Sequence, residues 1–161
     1  MGAGKTTIGK QLANKLKYNF IDLDQFIEES NQTSISSIFS DKGESYFRDI
    51  ESRHLKKVLE LKNTVISLGG GTPCFNNNMA LIKNHSKSIF IDLPVKMLVS
   101  RLKNGRSKRP LIQNKSDNEL FDFINTLRSE RLGFYNQANL VINKRDEVLS
   151  QILDFINTNK H

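Results

Sequence analysis

The sequence predicts an α/β protein built on a parallel sheet, and three observations carry that prediction. Stretches with apolar residues at helical spacing alternate with short β-type runs along the whole chain, which is the order that parallel strands joined by crossover helices require. The carboxyl ends of the β-type runs hold the unusual residues, "DLD" at 22–24 and "GGG" at 69–71, where open parallel sheets place their ligands. The chain opens on "GAGKTT" directly before a helical stretch, so a glycine turn and a helix N-terminus can present backbone N–H groups to phosphate.

Each element has its own signal. In "KTTIGKQLANKL", Ile8, Leu12 and Leu16 share one helical face, and "YNFIDLD" is a short β-type run ending in acids. "SISSIFSDKGESYFRDIESRHLKKVLELK" reads as a short helix, a turn at Gly43 and a long helix with Phe47, Ile50, His54, Val58 and Leu61 at helical intervals. "NTVISLGGG" is a buried strand running into a glycine turn, and "SIFIDLP" is a further strand. A helix around "VKMLVSRL", a basic loop, a helix around "NELFDFINTLRSERLGFY" and the strand "NLVIN" follow, and a last helix from Asp146 aligns Val148, Ile152 and Ile156.

Composition narrows the function. A length of 161 residues with 37% hydrophobic content suits one domain with its own core. No apolar run approaches the roughly 20 residues that cross a bilayer, and the start lacks the basic-then-apolar layout of a signal peptide. A cytoplasmic protein without a membrane partner is expected. Cys74 is the single cysteine, and His54, His85 and His161 have no zinc-ligand spacing, so structural metal is not expected. The net charge of +7 fits nucleic acid, an acidic surface or small anionic substrates. Its densest cluster, with Lys103, Arg106, Lys108, Arg109 and Lys115, also holds Gly105 and Pro110 and reads as a loop. No aromatic residues interleave it, so nucleic-acid binding is not expected.

The motifs point to phosphate chemistry. Gly4, Lys5 and Thr6 supply the last three fixed positions of G-x-x-x-x-G-K-[ST], whose first glycine would fall two positions before Met1. Lys5 brings positive charge and Thr6 a hydroxyl suited to Mg²⁺. Asp22 and Asp24, two apart at a strand end, can point to one side; a kinase needs a carboxylate near its metal and an oxygen to orient the acceptor hydroxyl. Asp24 also suits the N-cap of the next helix. Arg48 and Glu51, a turn apart, read either as a surface pair worth a few tenths of a kcal/mol or as a guanidinium fork for a substrate carboxylate. Gly69, Gly70 and Gly71 remove three side chains where a strand meets a loop, which suits close approach of backbone to a ligand. Cys74 has no histidine beside it to activate it and reads as pocket wall.

The ordered set "GAGKTT", "DLD", "FRDIE", "LGGG", "RPL" and "RxxxY" resembles the shikimate kinase family in content and spacing from Met1 nearly to the C-terminus. The resemblance implies a three-layer α/β/α P-loop kinase with a five-stranded parallel sheet ordered 2-3-1-4-5. It also implies transfer of the γ-phosphoryl group of ATP to the 3-hydroxyl of shikimate, with Mg²⁺, on the route to chorismate and the aromatic amino acids. By position, Gly2, Ala3, Gly4, Lys5, Thr6 and Thr7 would form the phosphate loop, with Lys5 on the β- and γ-phosphates and Thr6 on Mg²⁺. Asp22 would support the metal shell through water, and Asp24 would bind the reacting hydroxyl and accept its proton. Arg48 and Arg131 would grip the shikimate carboxylate, Glu51 would brace Arg48, and Gly70 and Gly71, beside Gly69, would offer backbone to the ring hydroxyls. Arg109 would swing over the phosphates on a lid at about 103–116, hinged near Gly105, and Arg101 would lie against adenine. Arg145 falls in the adenine loop, where "NKRDEV" departs from the proline that some members carry. A monomeric single domain over 1–161 is expected.

The start departs further, because strand 1 is central in that order and no residues here supply it. The expectation is that Met1 is an internal methionine of the phosphate loop and that about ten residues forming a strand precede it. Two rival readings stay open: a related kinase for gluconate or a nucleoside monophosphate, and a truncated, inactive P-loop protein that binds a partner or RNA through its basic loop.

Overall fold

The computed structural model describes residues 2–103 and 112–158. The predicted lid residues Gly105, Arg106, Lys108 and Arg109 lie outside them, as does Met1, and the side chain of Arg145 is not described either. The chain divides into two compact units, one spanning Lys5–Ser88 and one joining residues 2–4 to the described residues from Ile89 onward.

The unit Lys5–Ser88 contains α1 (Lys5–Leu16), β1 (Asn19–Asp22), α2 (Leu23–Asn31), α3 (Ile35–Leu59), β2 (Thr64–Ser67), a short 3-10 turn (Thr72–Cys74) and α4 (Asn78–His85). β1 and β2 pair in parallel, with Asn19 opposite Thr64 and Asp22 opposite Ser67. That register brings the acids after β1 and the glycines after β2 to the same strand end. The core beneath them is Leu23 and Ile27 of α2, Phe47, Ile50, Leu55 and Val58 of α3, and Ile82 of α4. Burying an aliphatic or aromatic side chain of this size contributes about 1.5–3 kcal/mol.

Ser34 caps α3 by accepting the Ser37 N–H at 3.0 Å, and the helix breaks at Gly43, whose φ of +80° suits glycine alone. The predicted turn between a short and a long helix is that break. Leu61 does not continue the buried face: α3 ends at Leu59 and Leu61 is exposed.

The other unit contains β3 (Ile89–Ile91), α5 (Val95–Lys103), α6 (Asp117–Tyr135), β4 (Leu140–Ile142), a 3-10 turn (Arg145–Glu147) and α7 (Val148–Thr158). β3 and β4 are parallel, with Ile89 opposite Leu140. Ala3, Leu93, Leu98, Leu102, Ile112, Leu120 and Ile124 are among its core residues. α6 opens on a capping box, in which Ser116 accepts the Glu119 N–H at 3.3 Å and Glu119 accepts the Ser116 N–H at 2.7 Å. Arg128 of α6 grips Asp92, just past β3, through Nε and Nη2 at 2.8–3.0 Å.

All four predicted strands form, and they pair as the order 2-3-1-4-5 pairs its strands 2 with 3 and 4 with 5. The expected burial of "NTVIS" does not hold: Val65 and Ile66 are half-buried, and Ser67 and Ile142 alone among the described strand residues are buried. Each sheet has two strands among the described residues, so every strand is hydrogen-bonded along one edge.

Candidate active site

The end of the β1–β2 pair gathers most of the residues picked out from the sequence. Asp22 finishes β1 and caps α2, accepting the Asp24 N–H on Oδ1 at 3.2 Å. Its other oxygen accepts the Thr6 hydroxyl at 2.8 Å. The cap expected of Asp24 therefore belongs to Asp22, because the helix begins at Leu23, and Asp24 is left in the first turn with its carboxylate available for other work. A hydroxyl and a carboxylate in contact are hard oxygen donors of the kind Mg²⁺ takes when phosphates and waters complete its shell. Among the described residues no three His, Cys, Asp or Glu side chains are grouped to hold a metal by themselves.

Asp24 lies beside the glycine turn. A Cβ placed on Gly69 would stand 3.0 Å from Asp24 Oδ1 and 3.2 Å from Thr72 Oγ1, so a side chain there would press on the carboxylate. Burial raises the Asp24 pKa above the ordinary carboxylate value; the charges of Asp22 and Glu51 add to the rise, and Lys5 opposes it. A carboxyl held high in this way takes up a proton more readily than an exposed one.

Gly71 meets Arg48 in the same manner, since a Cβ there would fall 2.7 Å from Nη1 and 2.8 Å from Nη2. The guanidinium is fixed on several sides. Phe75 lies 4.0 Å from Cζ and Phe47 5.1 Å. Nη1 donates to Glu51 Oε2 at 2.9 Å, and Nε and Nη2 donate to Glu44 Oε1 at 3.1 and 2.8 Å. The predicted Arg48–Glu51 pair is thus present and mostly buried rather than a loose surface contact.

Glu51 is itself held from behind, with Oε1 accepting the Thr72 hydroxyl at 2.7 Å. Asn78 in turn donates to the Thr72 carbonyl at 2.9 Å, and all three residues are buried. Asn76 donates to the Arg48 carbonyl at 3.1 Å. Sequence reasoning missed Thr72, Asn78 and Glu44. Only Glu44 left a signal, standing four residues before Arg48 in the favourable acid-to-base direction. Cys74 is half-buried, with its thiol 3.8 Å from the Gly70 carbonyl.

Lys5 and Thr7 lie in the first turn of α1, in the same unit, whereas Arg101 and Arg131 belong to the other unit with Gly2, Ala3 and Gly4. Arg101 Nη1 donates to the carbonyls of Gly2 and Ala3 at 3.2 and 3.1 Å, so it engages the backbone expected from the sequence to bind phosphate. Arg131 lies half-buried on α6, one turn beyond Arg128.

The family model described as shikimate kinase matches residues 1–158. A shikimate kinase of Bacteroides fragilis is 45% identical over 141 residues, which cover 88% of this chain and 79% of the relative. The crystal structure of a shikimate kinase from Bacteroides thetaiotaomicron superposes with a TM-score of 0.90 at 38% identity, covering 100% of this chain and 94% of that one. That of a shikimate kinase from Acinetobacter baumannii in complex with shikimate gives a TM-score of 0.85 at 29% identity, covering 99% of this chain and 90% of that one.

Proposed function

The chain belongs to the shikimate kinase family, and on that premise we propose how its residues divide the reaction among them. The reaction is transfer of the γ-phosphoryl group of ATP to the 3-hydroxyl of shikimate, giving shikimate 3-phosphate and ADP. The family match favours this reading over a gluconate or nucleotide kinase, and turnover in the assay below is what separates it from an inactive P-loop protein.

Phosphoryl transfer needs alignment and positive charge more than covalent chemistry. Lys5, with the backbone of Gly2, Ala3, Gly4, Thr6 and Thr7, holds the phosphates at the start of α1. Thr6, and Asp22 through water, would hold Mg²⁺, which would offset charge on the phosphoryl oxygens. Arg101 keeps the Gly2 and Ala3 carbonyls turned back, so that the loop's N–H groups face the nucleotide. Arg145 contributes to the adenine loop, and Arg109 closes over the phosphates on a lid at about 103–116 and excludes water.

Asp24 receives the 3-hydroxyl and takes its proton as the oxygen attacks. Its raised pKa fits a base that must hold the proton through the transfer. Arg48 and Arg131 hold the shikimate carboxylate, Glu51 fixes Arg48, and Gly69, Gly70 and Gly71 leave room for the ring and offer it backbone. One observation carries this reading: a single turn without side chains borders both the Asp24 carboxylate and the Arg48 guanidinium. An anion grip and a proton acceptor thus flank one glycine turn.

The test is a coupled assay with shikimate and ATP, alongside Arg48→Ala and Asp24→Asn. Arg48→Ala should chiefly raise the KM for shikimate; unchanged shikimate affinity would refute the carboxylate grip. Titration of Mg²⁺ against Thr6→Val separates the metal role from folding. We further propose one cytoplasmic, monomeric domain over 1–161 with no nucleic-acid or membrane partner; among the described residues no helix is long and apolar enough to cross a membrane.

A further inference from the structure

We propose that Glu44 is a built-in competitor of the acceptor's carboxylate, occupying the Arg48 edge that the substrate must take. The inference rests on the reading of Arg48 as the carboxylate grip. Arg48 presents its faces to aromatic rings and its edges to two acids, but the two acids differ in kind. Glu51 is buried and tied to Thr72 on its second oxygen, so it is a permanent brace. Glu44 has a side chain 55% exposed. It accepts from both Nε and Nη2 through one oxygen, along the edge that binds a carboxylate in bidentate fashion.

The backbone gives Glu44 somewhere to go. It follows Gly43 directly, where α3 is non-helical and where an added Cβ would meet nothing within 4 Å. The glycine is there for its φ, not for want of space, and Glu44 stands at the amino end of the helical segment that resumes after it. N–H groups at such an end favour a carboxylate, so a Glu44 released from Arg48 keeps a stabilising environment.

Two carboxylates cannot share one guanidinium edge without repulsion, so shikimate binds the fraction of molecules in which Glu44 has swung away. An exposed ion pair favours its closed form about one- to five-fold, and the apparent affinity falls by the fraction that is competent. Removing the charge should therefore lower the KM for shikimate about two- to six-fold.

The experiment measures shikimate affinity by calorimetric titration, and KM and kcat at saturating ATP, for the unaltered chain, Glu44→Gln, Glu44→Asp and Arg48→Ala. Glu44→Gln should tighten shikimate two- to six-fold with the ATP KM unchanged, and Glu44→Asp, too short to span the edge, should do the same. A Glu44 that merely positions Arg48 predicts the opposite sign. If Arg48→Ala weakens shikimate sharply while Glu44→Gln leaves it equal or weaker, the competitor is refuted and the grip stands. If Arg48→Ala leaves shikimate affinity unchanged, the grip itself fails and the competitor with it.

Discussion

Thr72 donates its hydroxyl to Glu51 across 2.7 Å, and through that bond Thr72 sets how the acid that braces Arg48 is held. Thr72→Val keeps the shape and removes the donor, leaving a buried carboxylate oxygen without its partner at a cost of about 1–3 kcal/mol. Thermal denaturation should show a loss of about 3–9 °C for a chain of this size. The KM for shikimate should rise with little change in the KM for ATP, and Thr72→Ser should recover both. A rise in both KM values would mean that the bond supports the fold in general rather than the Arg48 brace.

Gly71→Ala tests space without testing backbone strain. Gly71 has φ −83°, which alanine adopts freely, yet its methyl would fall 2.7 Å from Arg48 Nη1. The guanidinium must move by several tenths of an ångström, and a bidentate grip tolerates little misalignment. Shikimate affinity should fall about ten-fold, equivalent to about 1.4 kcal/mol, with ATP affinity retained. Full shikimate affinity would show that Arg48 yields at no cost and that the turn is not fitted to it.

Much of this was legible in the sequence because the signals were local. The alternation of elements, the break at Gly43 and the acids and glycines at strand ends all follow from spacing of three or four residues and from glycine's freedom at positive φ. Even the Glu44–Arg48 contact follows the i,i+4 rule. What sequence could not supply was the choice between near-equivalent neighbours and the contacts across the chain. Asp22 and Asp24 are the same residue type two apart, and only the point where the strand turns into α2 makes one the cap and leaves the other facing the glycine turn. The Asn78–Thr72–Glu51 relay joins α4, the turn after β2 and α3, and nothing in "TPC" or "NMALIK" announces it. The bonds from Arg101 to the carbonyls of Gly2 and Ala3 span 99 and 98 residues of chain, and no local spacing announces them either.

Arg101→Ala should weaken nucleotide binding through the loop backbone. It removes the donor to the carbonyls of Gly2 and Ala3, so those peptides can rotate and the phosphate-facing N–H groups lose their fixed aim. ATP KM should rise about three- to ten-fold with an equal rise for GTP, since nothing about the base is involved. An effect confined to ATP would instead put Arg101 against adenine.

Asp24→Asn separates chemistry from stability. Turnover should fall about 10²- to 10⁴-fold with the loss of proton acceptance, while ATP affinity stays nearly intact. Because the folded pKa is raised above the ordinary 3.8, the folded state binds the Asp24 proton more tightly than the unfolded one. Ionised Asp24 is therefore a destabilising presence at neutral pH, and the penalty fades as pH falls through its folded pKa toward 3.8. The Asn variant should be more stable than the parent near pH 7 and equal to it near pH 3. Chemical denaturation at a series of pH values checks this, and a variant less stable at neutral pH would mean that the charge is compensated in the folded protein.

Asp22 has two separable duties, one on each oxygen. Oδ1 caps α2 and Oδ2 receives the Thr6 hydroxyl. Asn retains an acceptor for the cap but loses the negative charge; Ala loses both. Loss of an N-cap costs about 0.5–2 kcal/mol, so Asp22→Ala should melt lower than Asp22→Asn. The Mg²⁺ concentration for half-maximal rate should rise to a similar extent in both, because that effect follows the charge rather than the cap. If Asp22→Asn kept the Mg²⁺ requirement of the parent, the metal would not depend on Asp22, and its contact with Thr6 would serve only to fasten α1 to the end of β1.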